Sequence, residues 1–279
     1  MKLLVVMKTY SRENRDPTRE RYCKAPKSEV MLRCLYSVVR DLAALRGDIR
    51  LVLINNKDDT AHLPALRAIL SLLPHPSEIV FIDPPVPPVA PTTTDRQTTP
   101  GAALASFRYG LEHGEGGLVY FVDDDYLHDE GAIGKMVAAR NLFSINLGRE
   151  ACVDGFNDPF RYYEPRNIEP TRVVHGPDRH WRLTYFSTAT FLVPHSIVKS
   201  YWPLFEGLGK HPSDGRAEDD TINHLWKDAG VPLFMPIPSL SLHLQFDTEK
   251  DPFIDWKSWW DAADYRHAIG TIQPIDNIR

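Results

Sequence analysis

The sequence predicts an α/β protein: a mostly parallel, mixed sheet flanked by helices. Short apolar runs alternate with longer segments whose apolar residues recur at helical spacing. The short runs are apolar at consecutive positions, so both faces of each strand should be buried, as in parallel sheets. Each run also stops at polar residues, and in open α/β sheets ligands gather beyond the carboxyl ends of the strands.

Residues 3–7 (LLVVM) form the first strand, followed by the polar cluster Lys8-Thr9-Tyr10-Ser11-Arg12. Residues 29–45 are spaced as a helix and stop at Gly47. RLVLI (50–54) is the second strand, ending in NNKDDT. A helix over 62–73 leads to a third strand, EIVFI (78–82). The stretch 83–100 holds six prolines and many threonines, so it cannot be a helix and reads as a linker or a mobile segment. A helix over 101–114 precedes the fourth strand, GLVYFV (117–122). Beyond an irregular stretch at 156–185, TATFLVP (188–194) and SLSLHLQ (239–245) read as strands. EDDTINHLWKDAG (218–230) reads as a helix with carboxylates at its start and Gly230 at its end. Residues 251–270 read as one amphipathic helix. There Trp256, Trp259 and Trp260 are spaced for core packing, sugar stacking or self-association.

The bulk numbers narrow the class. A chain of 279 residues suits one large α/β domain or two small ones. A net charge of −5 argues against a protein whose main work is to hold nucleic acid. Cys23, Cys34 and Cys152 show no CxxC spacing, which points to a reducing compartment and away from structural zinc. The amino-terminal apolar run is too short for a signal peptide, and no stretch approaches the roughly 18 apolar residues of a membrane span. A cytoplasmic protein is expected.

The fourth strand ends in three consecutive aspartates, Asp123, Asp124 and Asp125. Carboxylates this close repel one another unless a cation or a set of donors offsets them. A hard divalent cation, Mg²⁺ or Mn²⁺, suits such a cluster, because it takes few protein oxygens and keeps positions for water and phosphate. The plain alternative is a solvated acidic turn. Thr9, Asn55 and Asp58 end the other strands and face the same ligand region.

VYFVDDDYLHDEGAI resembles the DxD segment of GT-A glycosyltransferases, the large family-2-like group in particular. AEDDTINHLWKDAGV is similar to that group's Glu-Asp segment, and PSLSLHLQ to the following strand with a metal-binding His. LLVVMKTYSR and RLVLINNKDDT look like its first two nucleotide-binding strands. The order agrees over about residues 3–245. The resemblance implies a GT-A-like catalytic domain over 1–245. Its Rossmann-like nucleotide-sugar half would be 1–125, its acceptor half 126–245, and 246–279 a Trp-rich extension packed on it. It implies a metal-dependent transfer of sugar from a nucleotide-diphosphate sugar, UDP-sugar favoured, to an acceptor hydroxyl with inversion. Asp125, Asp123 and His243 would hold the metal, with Asp123 or Asp124 also contacting the ribose. Thr9, Tyr10 and Arg12 would line the base and phosphate pocket. Asp219 would be the general base, with Glu218 next to it as the alternative. Asn55 stands where the group usually has a base-reading Asp, with Asp58 and Asp59 nearby. Arg108, a candidate phosphate contact, falls one place later than the group's arginine.

Two other functions fit the residues less well. A nucleotidyltransferase of related architecture typically carries a Gly-rich phosphate loop after its first strand, and KTYSRENR has no Gly. A non-catalytic sugar- or nucleotide-binding module would not need both Asp125 and Asp219. Tyr162, Tyr163, His175, His180 and Trp181 lie where such transferases bind acceptors; an oligosaccharide, a lipid-linked glycan, a protein or a modified nucleic-acid base would each serve.

Overall fold

The computed structural model describes residues 1–11, 21–57, 59–83, 98–159, 171–187, 190–208, 221–245 and 250–270. Strands β1 (Lys2–Thr9), β2 (Asp48–Asn56), β3 (Ser77–Ile82) and β4 (Leu118–Val122) alternate with helices α1 (Lys27–Ala43), α2 (Leu63–Leu70) and α3 (Thr98–His113). Strand β5 (Tyr126–His128), helix α4 (Ala132–Leu147) and strands β6 (Cys152–Val153), β7 (Val173–His175), β8 (His180–Thr184) and β9 (Phe191–Pro194) follow. Then come α5 (His195–Ser200), α6 (Trp202–Leu208), α7 (Asn223–Lys227), β10 (Leu233–Ile237), β11 (Ser241–His243), α8 (Trp256–Ala262) and α9 (Arg266–Ile269).

Nine strands form one mixed sheet in the order β3-β2-β1-β4-β9-β6-β10-β8-β7. Its first four strands are parallel; β9 enters antiparallel between β4 and β6. The pleat sends alternate side chains of β1 to opposite sides. Leu3, Val5 and Met7 join a core with α1, α2 and α4, and Leu4 and Val6 join one with α3, α5, α6 and α7. Strands β4 and β6 run with β1, so Thr9, Asn55, Asp123 and Asp154 lie at one edge of the sheet. The second sheet is the antiparallel ribbon β5–β11, in which His243 pairs with Tyr126.

Two expectations are corrected in outline. The tail is not one helix but the short α8 and α9, which break at Ala263. There Asp264 accepts a hydrogen bond from the Arg266 backbone N–H at 3.1 Å, a local bond that competes with helical pairing. The helix expected over 218–230 is described only as the one-turn α7, closed by Gly230 at φ 66°, a left-handed conformation that favours glycine. Strands 126–128, 152–153 and 233–237 and helix 132–147 were not anticipated. Most of the proline-rich stretch, 84–97, lies outside the described residues.

The carboxy-terminal helices dock on α1. Trp256, Trp259 and Trp260 are half-buried against the core. Arg33 lies 4.4 Å from the Trp260 ring, donates to the Trp260 carbonyl, and pairs with Glu29 at 2.7 Å. Trp256 meets Tyr22 edge-on at 5.2 Å.

Candidate functional site

The triplet is compensated first by lysines. Met7 of β1 pairs with Val122 of β4, so the next residues, Lys8 and Asp123, fall side by side. Lys8 Nζ stands 2.7 Å from Asp123 Oδ1. Burial pushes the Asp123 carboxyl up to about 6 against the pull of Lys8. The Asp123 backbone N–H donates to Thr190 Oγ1 at 3.2 Å, which fixes the start of the turn to β9.

Lys27 reaches the other two aspartates from the first turn of α1. Its ammonium lies 2.5 Å from Asp124 Oδ1 and 3.1 Å from Asp125 Oδ2, and the residue is only 5% exposed. A cation at a helix amino terminus opposes the helix dipole, so its placement depends on the two carboxylates. Burial alone would lower the Lys27 pKa, but Asp124 and Asp125 overcome it and hold it raised. Asp124 also accepts from the Tyr10 backbone N–H at 2.6 Å, tying the loop after β1 to the loop after β4.

Asp125 and His243 meet through the ribbon. Leu244 N–H donates to the Asp125 carbonyl at 2.8 Å, extending the β5–β11 pairing by one step. His243 Nε2 then stands 3.5 Å from Asp125 Oδ1, with its ring stacked on Tyr126 at 4.7 Å. Gln245 Nε2 donates to Asp125 Oδ2 at 3.0 Å. Burial works against ionisation, yet Lys27, His243 and Gln245 together hold the Asp125 carboxyl well below its ordinary range.

The other anticipated residues are placed unevenly. Thr9 is buried, and its hydroxyl donates to Asn55 Oδ1 at 3.0 Å. Asn55 is buried too and donates to the Asp59 carbonyl at 2.9 Å. These two side chains therefore bond to each other and to the backbone at the strand ends. The Asp59 carboxylate receives both the backbone N–H and the hydroxyl of Ser11. Arg108 is exposed on α3 and, among the described residues, makes no ion pair with the triplet. Arg12, Asp58, Glu218, Asp219, Tyr162 and Tyr163 lie outside the described residues. Trp181 is fully buried, while His175 and His180 pair across β7–β8 at the far end of the sheet.

Four residues at this edge escaped the sequence reading: Lys8, Lys27, Gln245 and Asp154. Only Lys27 carried a local signal, a basic residue just after Pro26 at a helix start. Asp154 follows β6 and is fully buried. It accepts from Phe156 N–H at 2.8 Å and from Ser187 Oγ at 3.2 Å. Burial pushes its carboxyl up to about 7. Ser187 N–H in turn donates to Asn223 Oδ1 at 3.0 Å, linking β6, the end of β8 and α7.

The residues fit a hard divalent cation in a limited way. Asp125 Oδ1 and His243 Nε2 converge at a separation that two ligands of one cation can take. Among the described residues, no group of three or more His, Cys, Asp or Glu gathers to hold a metal. The remaining positions would belong to water and substrate phosphate, as is usual for Mg²⁺.

No family model and no curated protein matches the chain. The fold, however, has solved counterparts. Along almost its whole length the chain is similar to a UTP-bound UGPase from Acinetobacter baumannii, with 12% identity, coverage of 98% of this chain and 96% of that one, and a TM-score of 0.50. It is also similar to TarS 1–349 of S. aureus, with 12% identity over 75% of this chain and 55% of that one and a TM-score of 0.43. The same protein in complex with UDP-GlcNAc matches with 13% identity over 72% of this chain and 47% of that one, at a TM-score of 0.40. The chain thus spans about half the length of the TarS structures. At these identities the likeness is one of fold. No helix among the described residues is long and apolar enough to cross a membrane.

Proposed function

We propose that the protein transfers a sugar from a nucleotide-diphosphate sugar, a UDP-sugar by preference, to an acceptor hydroxyl with inversion. The observation that carries this reading is the meeting of Asp125 and His243, 3.5 Å apart, at the carboxyl edge of the sheet. The resemblance of the DxD, Glu-Asp and His segments supports it; the full-length fold match to a UTP-bound protein supports the handling of a nucleotide, which both this reading and its rival require.

In this reading Asp125 and His243 would hold Mg²⁺ or Mn²⁺, with Asp123 beside them. When bound, the cation supplies Lewis-acid neutralisation of the departing diphosphate. Asp124 holds the loop at Tyr10, which lines the nucleotide pocket with Arg12. Asp219, or Glu218 beside it, takes the proton of the acceptor hydroxyl as it attacks the anomeric carbon. Trp256, Trp259 and Trp260 serve as packing for the extension and not as an acceptor platform.

A second reading is favoured by one observation. A solved structure that matches nearly the whole chain is a UGPase, a UDP-glucose pyrophosphorylase, so a nucleotidyltransferase activity is the rival. Incubation with a panel of nucleotide sugars and Mn²⁺ separates the two. Slow release of UDP without added pyrophosphate supports the transferase. Formation of UTP only when pyrophosphate is added, with no UDP release, overturns it.

A further inference from the structure

Among the described residues, the charges around the triplet nearly cancel before any metal is present. Asp123 faces Lys8, and Asp124 and Asp125 share Lys27. Arg21 is close enough to act on Lys27 electrostatically. Three carboxylates thus stand against two paired ammonium groups with a guanidinium nearby. The Lys27 ammonium and the Gln245 amide also occupy Asp125 Oδ2, which leaves Oδ1 to face His243. A divalent cation sheds its water reluctantly and needs either several protein carboxylates or substrate phosphates. Among the described residues, Asp125 Oδ1, the His243 imidazole and an Asp123 already paired with Lys8, in a cluster of almost no net charge, do not meet that need.

We propose that Lys27 is the resident counter-ion of the acidic triplet, which keeps the site from retaining a free divalent cation, so that metal is taken up only together with a nucleotide diphosphate. The proposal rests on the metal-dependent reading above and deepens it. The diphosphate would supply the missing anionic oxygens, and Asp125 and His243 would hold the ion together with it. Lys27 is a positioning residue, acting through Asp124 and Asp125. Its place on the first turn of α1 makes it part of the fold, and the docked α8 and α9 hold that helix.

The test is direct Mn²⁺ binding, read by the loss of the free-ion paramagnetic resonance signal, for the full chain with and without UDP. The expected result is no Mn²⁺ retained by the native protein at concentrations where the UDP-loaded protein is saturated. Tight binding of Mn²⁺ to the native protein without UDP would overturn the proposal, and this arm needs no variant. Lys27→Gln removes one positive charge beside two carboxylates and should tighten Mn²⁺ binding without UDP at least about tenfold. It should also make thermal unfolding of the variant respond to Mn²⁺. Lys27→Arg, which keeps the charge, should behave as the native protein does. Unchanged Mn²⁺ affinity in a folded Lys27→Gln protein would likewise overturn the proposal. If UDP binds the native protein equally well with and without Mn²⁺ while Lys27→Gln still gains affinity for the ion, the metal-dependent reading fails and the assignment of Lys27 stands.

Discussion

Asp154 offers a measurement that separates burial from chemistry. Its carboxyl is fully buried at the end of β6, with Ser187 Oγ and the Phe156 N–H as donors, and burial pushes its pKa up to about 7 from 3.8. A carboxyl whose folded pKa is raised contributes stability at pH below its unfolded value. That contribution is lost as pH rises through the folded value, because the native state holds the proton more tightly. Three units at about 1.4 kcal/mol each set a ceiling of about 4 kcal/mol on the whole effect. Between about pH 5 and about pH 8 the share lost is about 2–3 kcal/mol. Asp154→Asn keeps the shape, retains an oxygen for the Phe156 N–H and places an amide where Ser187 Oγ can accept. It does not ionise. Urea unfolding of both proteins at the two pH values gives the comparison. The stability of the Asn variant relative to native should be greater at the higher pH by about 2–3 kcal/mol. Asp41 and Asp123 are also pushed up to about 6, but they titrate in both proteins and cancel in the difference. A relative stability that is the same at both pH values would refute the account of Asp154 as a buried, proton-holding carboxyl.

Other expectations can be checked with single substitutions. Phe107 is buried at the centre of the second core, edge-on to Phe121 at 4.8 Å and Phe205 at 5.3 Å; Phe107→Ala should cost about 3–5 kcal/mol in chemical unfolding. Asp219→Asn should cut turnover by roughly 10²–10⁴ and leave UDP affinity unchanged in calorimetry; if Glu218→Gln has that effect and Asp219→Asn does not, the base is the neighbouring carboxylate. Arg33→Ala removes the contact with the Trp260 ring and the bond to its carbonyl, so amide exchange should rise in α8 and α9 and not in β1.

Strands β1, β2 and β4 of the parallel half were legible because each is buried on both faces, while β3, at the sheet's edge, is only partly buried. A continuous run such as Leu3–Met7 has no other soluble home, and the pleat divides it between two cores. Helix α1 was legible from its apolar spacing. Helix α4 was not, because exposed Ile145 and Leu147 blur the stripe that its buried Ile133, Met136, Val137 and Phe143 would otherwise show. The short strands β5 and β6 carry too few residues for any period to declare itself, whereas β11 lies within the alternation read over 239–245. In the tail, the three tryptophans were read as a packing stripe, and they do pack; the Asp264 carboxylate, accepting from the Arg266 backbone N–H, competes with the helix that their spacing suggested.

Position at a strand end turns out to be a weaker guide than partner. Thr9 and Asn55 end adjacent parallel strands, as a ligand site requires, yet they bond to each other and are buried. The aspartate triplet is likewise not one feature but three, set by geometry that no local pattern encodes. Strand register hands Asp123 to Lys8. The packing of α1 brings Lys27 to Asp124, which then holds the Tyr10 loop. The β5–β11 ribbon carries His243 and Gln245 to Asp125. Like charges demand compensation wherever they are buried, so the sequence could pose the question of what offsets the triplet. The compensating groups come from residues 8, 27, 243 and 245, and only tertiary pairing joins them. Of the three carboxylates, only Asp125 combines a strongly held negative charge with an oxygen turned toward an imidazole, and chemistry that needs a cation should depend on that residue most.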